Sequence, residues 1–326
     1  MALNEEHLMS VPGVLNRYVR LSNGAKAHYI TAGETGPAVI LLHGGIVGSS
    51  GFAGWRFMLP ALAQAGFRVF APDRPGFGFA DTRPEYRAQT WLDQVDFLDR
   101  FADALCIDKF WIGGNSNGTQ HSFYYMVNHP NRILGACLVA TAGIAGFAGV
   151  PAEKHYRKPP SGQPSPQFDG TLESMKALLD PIIWRKEGLT QDLLEMRTYA
   201  ANMQKDSRTA RPNGDPDDAN MQQWIDLGDR LPKLDSPMIY LHGMLDVSAP
   251  VENAVIAEPY LPNIQFFYPD PCGHQGQTDQ PDMFNAVFNE FMRDGKVSRQ
   301  TADWAGVSKN RAENPKYVEQ AAAAVV

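Results

Sequence analysis

One serine lies in a pattern that is typical of a nucleophile. Residues 114–118 read GNSNG, with glycines two positions to either side of Ser116. A short apolar run (110–112) precedes this pattern, and a stretch of helical character (119–127) follows it. Glycines tolerate the sharp turn that exposes a serine hydroxyl between a strand and a helix. The five-residue pattern alone occurs often by chance, but this context predicts that Ser116 is a nucleophile.

A serine hydroxyl is a weak nucleophile near neutral pH, so it needs a base, and the base needs an orienting acid. Among eight histidines, His274 lies just after the last predicted strand. Asp246 follows the predicted strand at 238–241 and lies between the serine and the histidine in the chain, which is the order this chemistry uses on a parallel sheet. Asp235 is a weaker rival because it precedes that strand. The sequence therefore predicts a triad of Ser116, Asp246 and His274.

The attack of a serine on a carbonyl places negative charge on an oxygen, which needs preorganised N–H donors. One predicted donor is the backbone N–H of Asn117, directly after the nucleophile. The second is expected in the turn HGGI at 43–46, at Gly45 or Ile46. Each such donor lowers the barrier by about 2.7–4 kcal/mol. An ordinary glycine-rich turn is the alternative interpretation, and the histidine before two glycines at a strand end favours the functional one.

Short apolar runs, which must position these groups, alternate with longer amphipathic stretches along the chain. The runs are residues 39–42, 68–71, 110–112, 136–140, 238–241 and 264–268. The stretch 90–105 carries apolar residues at helical spacing. Strands that alternate with helices predict an α/β fold with a mainly parallel central sheet and helices on both faces. Residues 17–31 predict an antiparallel hairpin ahead of that sheet.

The alternation stops between residues 146 and 232, where we predict a helical cap inserted between two strands. Helical patterns occur around 172–179 and 189–203, and polar, proline-containing stretches occur at 158–167 and 211–218. The apolar content of the region argues against a long disordered loop. The predicted division is a core (1–145 and 233–294), the cap (146–232) and a C-terminal extension (295–326). We expect the extension to be a surface helix followed by a frayed end.

The composition limits the classes of partner. The chain has 326 residues, 44% of them hydrophobic, and a net charge of −7 without a basic stripe, so nucleic acid is not an expected partner. No apolar run reaches the ~20 residues of a membrane helix, and the polar residues 1–10 do not resemble a secretory signal. Three cysteines without metal-binding spacing favour a reduced, cytoplasmic setting. We expect a small-molecule substrate and neither metal nor cofactor, and a homo-oligomer stays open.

With these residues in place, the chain resembles the α/β-hydrolase superfamily over residues 18–293. It is most similar to the meta-cleavage-product hydrolases, which cut carbon–carbon bonds in ring-fission products of aromatic catabolism. The GNS at 114–116 matches their motif, and residues 273–285 follow the spacing of their G-H-W-A-Q…D-x-F-N pattern. Residues 193–197 look like the segment that carries their substrate-binding arginine. The resemblance implies that Arg197 holds a substrate carboxylate; the alternative is a solvated arginine on a cap helix.

Two further residues, Asn115 and Gln275, are predicted to bind substrate. The chain departs from the family pattern at three places. Asn117 replaces a methionine, Gln275 replaces a tryptophan, and the segment 54–57 lacks an asparagine. The first two changes make the pocket more polar, so two activities stay open: hydrolytic C–C cleavage of a vinylogous diketone acid, and hydrolysis of a bulky ester or lactone. A non-catalytic receptor on the same fold is a third alternative, which an intact triad disfavours.

Overall fold

The computed structural model describes residues 2–157, 166–207, 227–311 and 315–320. In chain order the strands are β1 (Ala2–Leu3), β2 (Met9–Ser10), β3 (Leu15–Arg20), β4 (Lys26–Ala32), β5 (Ala38–Leu42), β6 (Arg68–Pro72), β7 (Phe110–Asn115), β8 (Ile133–Val139), β9 (Met238–Leu241) and β10 (Ile264–Phe267). The last eight form one sheet in the order β10-β9-β8-β7-β5-β6-β4-β3. In this order, the six strands β10, β9, β8, β7, β5 and β6 pair in parallel, whereas β4 is antiparallel to both β3 and β6. The predicted parallel sheet and the predicted hairpin are both confirmed.

Helices cover both faces of this sheet. They are α1 (Gly51–Trp55), α2 (Met58–Gln64), α3 (Trp91–Ala104), α4 (Asn117–Asn128), α5 (Ile144–Phe147), α6 (Leu172–Leu179), α7 (Gln191–Met203), α8 (Val251–Ala257), α9 (Gly276–Asp279), α10 (Pro281–Asp294) and α11 (Arg299–Trp304). Alternate residues of β5 enter different cores, because side chains of a strand point to opposite faces. Val39 and Leu41 pack with α2 and α10, while Ile40 and Leu42 pack with α3 and α4.

The observed strands extend beyond several of the predicted runs. We expected one strand at 136–140, but β8 begins at Ile133 and passes through Gly135. A Cβ atom at Gly135 would lie 2.2 Å from the ring of Trp111 on β7, so this glycine makes room for the tryptophan. Sequence reasoning treats glycine as a break in a strand, whereas here it lets a large side chain pack on the strand.

Two helices predicted for the cap are present between β8 and β9. α6 and α7 share a separate apolar cluster that contains Met175, Leu179 and Leu194. Ile46 and Val47, from the turn after β5, pack against this cluster. The cap helices therefore lie directly over the predicted oxyanion turn. The polar stretch 211–218 and residues 158–165 lie outside the described residues, and the domain boundaries stay a prediction.

The segment after α10 forms the expected surface helix, α11, which packs one face on the core and leaves Gln300, Asp303 and Trp304 exposed. α10 ends at Gly295, which adopts the left-handed conformation (φ 69°) that favours glycine. Val297, Ala302 and Ala305 then pack into the core beside α10. The segment reads as polar because these small apolar residues are widely spaced. The predicted frayed end at 321–326 lies outside the described residues.

One buried carboxylate anchors this segment to the sheet. Oε2 of Glu258 accepts hydrogen bonds from Ser308 Oγ (2.8 Å), Asn310 Nδ2 (2.8 Å) and the Tyr268 hydroxyl (3.0 Å). Replacing Glu258 with alanine leaves these donors without their acceptor, so we expect the free energy of unfolding to fall by about 1.5–3 kcal/mol in urea titrations. The exposed Glu252 is the matched control, and its alanine variant should stay within about 0.5 kcal/mol of the wild type. Equal effects of the two substitutions would contradict this anchoring role.

Candidate active site

Ser116 lies on a strained turn between β7 and α4, as its pattern predicts. Its backbone has φ 58° and ψ −116°, a conformation that residues other than glycine rarely adopt. The flanking glycines are required by close backbone contacts. A Cβ at Gly114 would lie 2.4 Å from the carbonyl carbon of Gly118, and one at Gly118 would lie 2.1 Å from the Leu42 oxygen. The turn therefore fixes the serine at the carboxyl end of the central strand and at the start of a helix.

The predicted base and acid form a buried pair. Nδ1 of His274 lies 2.6 Å from Oδ2 of Asp246. The other carboxylate oxygen of Asp246 accepts the backbone N–H groups of Ser248 and Ala249, each at 2.8 Å. Burial would raise the pKa of Asp246, but the charge of His274 and hydrogen bonds from His242 and His274 outweigh burial and hold that pKa well below its ordinary value. The acid is therefore ionised and can orient His274 with Nε2 available as a base.

A second imidazole supports the same carboxylate, which sequence reasoning missed. Nε2 of His242 lies 2.7 Å from the Ala249 carbonyl and 3.3 Å from Oδ2 of Asp246. Its Nδ1 lies 3.0 Å from the hydroxyl of Tyr240. His242 is completely buried at the end of β9, four residues before the acid. In the sequence, His242 resembles any residue at a strand end. Only its position four residues before Asp246 indicates that it could contact the acid.

The loop that carries the base is tied to both the serine turn and the cap. Nδ2 of Asn115 donates to the His274 carbonyl at 3.0 Å, and the His274 N–H donates to the Ile182 carbonyl at 3.0 Å. Among the described residues, Ser116 Oγ makes no hydrogen bond to His274; such bonds often tighten only when substrate is bound. Asn115 thus has a positioning role, and its contact with substrate stays a prediction.

Asp279 makes a further connection between this loop and the cap, which the sequence reading also missed. Its carboxylate accepts the backbone N–H of Gly273 at 2.7 Å and that of Arg185 at 3.0 Å. Burial raises the pKa of Asp279. The base loop and the cap segment between α6 and α7 therefore share one buried acceptor.

The predicted oxyanion turn lies against the serine turn. A Cβ at Gly44 would lie 3.5 Å from Ser116 Cβ, and one at Gly45 would lie 3.0 Å from Asn117 Cβ. Asn117 is the first residue of α4, where backbone N–H groups lack helical partners and the helix dipole favours negative charge. The turn and the helix start are thus close enough to serve one oxyanion. The choice between Gly45 and Ile46 as the second donor stays a prediction.

A buried arginine lies behind this turn. Arg74 donates to the carbonyls of His43 and Gly44, both at 2.9 Å, and its backbone N–H donates to Nε2 of His43 at 3.0 Å. Burial lowers the pKa of Arg74 to about 9. Burial, followed by the charge of Arg74, lowers the pKa of His43 to about 3. His43 is therefore neutral, with a proton on Nδ1 that it donates to Gly44 O at 2.7 Å. In the sequence, Arg74 comes shortly after the apolar run 68–71 and has the look of an ordinary polar turn residue.

Arg197 is buried, so the interpretation as a solvated arginine is wrong. It is 1% exposed on α7, and its Nη2 lies 3.3 Å from Ser49 Oγ and 3.4 Å from the Val47 carbonyl. Within the described residues it forms no ion pair with a carboxylate. Burial lowers its pKa to about 10, and its charge contributes to the lowered pKa of the buried Arg56. Two cationic side chains therefore lie near each other where the cap meets the core.

No cluster of three or more metal-ligating side chains occurs among the described residues. No helix of this part of the chain has the length and apolar character needed to cross a membrane.

Comparison with known proteins gives the following similarities. A family model described as alpha/beta hydrolase fold matches residues 37–281. A 2-hydroxy-6-oxononadienedioate/2-hydroxy-6-oxononatrienedioate hydrolase of Pseudomonas putida is 27% identical, over 85% of this chain and 96% of the relative. The enzyme of the same name from Paraburkholderia phymatum is 27% identical, over 85% of this chain and 95% of its own. The solved meta-cleavage product hydrolase of Pseudomonas fluorescens has a TM-score of 0.67 at 25% identity, and the match covers 86% of this chain and 98% of that one.

Proposed function

Because the chain belongs to the α/β-hydrolase family, we propose that it is a serine hydrolase with Ser116 as nucleophile, His274 as base and Asp246 as orienting acid. The observation that carries this proposal is the buried His274–Asp246 pair, 2.6 Å apart, in a loop tied to the strained serine turn. A binding module gains nothing from that combination, because strain at a serine and a buried ion pair both cost stability. Enzymes keep such features where chemistry needs them.

In the proposed reaction, Ser116 Oγ adds to a substrate carbonyl carbon while His274 Nε2 accepts the hydroxyl proton. The resulting oxyanion accepts hydrogen bonds from the N–H of Asn117 and from Gly45 or Ile46. Protonated His274 then gives its proton to the leaving group, and an acyl-enzyme forms. A water molecule, deprotonated by His274, releases the acyl group as a carboxylic acid and restores Ser116. Asp246 stays ionised throughout and stabilises the imidazolium.

We further propose that the bond cut is a carbon–carbon bond in a 2-hydroxy-6-oxo-dienoate acid, the class in the names of the curated relatives. Before cleavage the 2-hydroxy-dienoate must tautomerise to its 2-oxo form, which loses the hydroxyl proton and gains a proton at C5. The carbon leaving group then departs from the 6-oxo carbon as a dienolate, because its charge is delocalised onto the 2-oxo group, and His274 protonates it. Overall, water supplies OH to the acyl fragment and H to the carbon fragment. Arg197 supports an acidic substrate, because a buried guanidinium that has no carboxylate partner among the described residues can pair with an anion from the substrate.

Ester or lactone hydrolysis is the second candidate, and the polar lining near the nucleophile favours it. Asn117 pairs with Gln120 and Arg74 rather than presenting an apolar surface. Gln275 is buried beside the base, and its side-chain oxygen has no partner in the described part of the chain. A panel of p-nitrophenyl esters, lactones and ring-fission dienoates decides between the two. Turnover of esters alone would discard C–C cleavage. A cytoplasmic location and any oligomer remain predictions.

Arg197 gives a sharper test of the acidic substrate. Replacing it with leucine should lower kcat/KM for a dienoate by roughly 10- to 150-fold, because a hydrogen bond to a charged group contributes about 1.5–3 kcal/mol. Turnover of a neutral ester should change by less than about threefold, since an ester carries no carboxylate for the arginine to bind. Arg185, whose side chain is exposed on the same cap, is the control, and its leucine variant should match the wild type on both substrates. Equal losses for dienoate and ester would contradict carboxylate binding by Arg197.

A further inference from the structure

The guanidinium of Arg74 uses all four of its terminal N–H groups in the oxyanion region. Nη2 donates to the carbonyls of His43 and Gly44, both at 2.9 Å. Nη1 donates to Asn117 Oδ1 at 3.1 Å and to His121 Nδ1 at 2.5 Å. Arg74 therefore contacts both segments that are proposed to supply the oxyanion donors, the turn after β5 and the start of α4.

These contacts fix the direction of one peptide group. In a trans peptide the C=O of one residue and the N–H of the next point in opposite directions. The Gly44 carbonyl points at Arg74 and also accepts Nδ1–H of His43 at 2.7 Å, so the Gly45 N–H is directed away from the guanidinium. The Cβ position of Gly45 lies against Asn117, on the side of the serine turn. Two donors on one carbonyl thus hold the Gly44–Gly45 peptide in a single orientation.

A contribution to folding stability does not explain why Arg74 is buried. Arg74 is 1% exposed, and within the described residues no carboxylate lies in ion-pair distance of it. Moving an unpaired cation out of water is unfavourable, and neutral hydrogen-bond acceptors offset only part of the lost hydration. A buried charge is useful where negative charge develops during a reaction, because a fixed cation in a low-dielectric site needs no reorganisation.

We propose that Arg74 is a positioning residue that preorganises the oxyanion hole, with His43 as its second support. Arg74 holds the Gly44–Gly45 peptide so that the Gly45 N–H faces the reacting carbonyl, and it places a positive charge behind both donors. This inference rests on the proposed serine-hydrolase function and selects Gly45 over Ile46 as the second donor. The role of Arg74 is to act through those backbone groups, without contact to substrate.

Arg74→Lys keeps the charge but loses the planar fork that bonds two carbonyls at once. With p-nitrophenyl butyrate or a dienoate, whichever the wild type turns over, kcat should fall by about 10²–10³-fold, the loss typical of one oxyanion donor. KM should change by less than about threefold, because ground-state binding does not use the oxyanion hole. Affinity for an alkylboronic acid, which forms a tetrahedral adduct on serine, should weaken by the same factor as kcat/KM. Inhibition by the carboxylic acid product should stay unchanged.

A purely structural role of Arg74 would not lower kcat while leaving KM and product inhibition unchanged. Arg132→Lys is the matched control. Arg132 is a partly buried arginine bonded to Asp99 (2.7 Å) and to the Ile107 carbonyl (2.6 Å), away from the site. Its lysine variant should lower Tm without changing kcat. Ethylguanidinium added to Arg74→Gly should restore a measurable part of kcat, since the cavity matches the lost group.

His43→Asn is the second variant, because it removes the other donor to the Gly44 carbonyl. It should show the same loss of kcat with little change in KM, and it tests the proposal even if Arg74→Lys does not fold. If Arg74→Lys folds and keeps the wild-type kcat, the inference about Arg74 is overturned. If Arg74→Lys does not fold and His43→Asn keeps the wild-type kcat, the inference is overturned as well. Neither result affects the proposed serine-hydrolase function. A wild type that turns over no substrate and whose Ser116 does not react with a fluorophosphonate would overturn the proposed function, and the inference with it.

Discussion

Replacing Ser116 with alanine is expected to lower kcat by about 10⁶-fold, the loss typical of removing the nucleophile of a triad. The reacting oxygen disappears, while the oxyanion donors and the cap remain and leave a small residual rate. The fold should persist, because alanine has about the same backbone strain as serine at φ 58°. The close contacts of Gly114 and Gly118 also hold the turn in either variant. Turnover is measured as rates on the substrate panel, and substrate binding is measured by calorimetric titration. Binding without turnover is the expected result.

Ser122→Ala is the matched control for this variant. Ser122 is buried on α4, the helix that follows Ser116, and donates to the Gly118 carbonyl at 2.9 Å. Its alanine variant should lose about 1 kcal/mol of unfolding free energy and keep kcat within about threefold of the wild type. If the Ser116 variant consumes substrate at the wild-type rate, Ser116 is not the nucleophile. If the wild type binds the substrate without turning it over, the chain is a receptor.

The sheet and the order of the catalytic groups could be predicted because both depend on local patterns. A strand buried on both faces reads as a continuous apolar run, and the triad residues follow strands in a set order. The prediction ended β7 at residue 112, whereas the strand continues to Asn115. Gly113 and Gly114 look like a break, but β5 and β8 on either side supply their backbone partners.

The supports of the site could not be predicted, because they depend on contacts between distant segments. Asn115 and the His274 carbonyl are 159 residues apart, and Arg74 and Asn117 are 43 apart. In the sequence, Arg74 and Asp279 look like the polar residues of any turn. Arg197 offered two interpretations because helical periodicity does not reveal that the cap helix packs against the turn after β5. Burial decides such cases, and burial follows from the assembled fold.

Replacing Asp246 with asparagine is expected to lower kcat by about 10⁴-fold without unfolding the protein, because it inverts the hydrogen bonding of His274. One carboxylate oxygen accepts two backbone N–H groups, and the other faces Nδ1 of His274 at 2.6 Å and Nε2 of His242 at 3.3 Å. The backbone N–H groups cannot turn, so the amide oxygen must stay with them and the NH₂ group must face the imidazoles. His274 then accepts through Nδ1 and carries its proton on Nε2, where it cannot take the proton of Ser116.

The stability of this variant should also respond to pH. The lowered pKa of Asp246 means that the ionised form is favoured in the folded state, so its stabilisation is present above the ordinary value of 3.8 and is lost as the pH falls further. The difference in unfolding free energy between the wild type and Asp246→Asn should therefore shrink on acidification below that value. Asp235→Asn is the control, since Asp235 is the exposed rival in the sequence, and it should match the wild type in rate and stability. If Asp246→Asn retained more than about a tenth of the wild-type rate, Asp246 would not set the tautomer of His274, and the proton transfer proposed for Ser116 would need another acid.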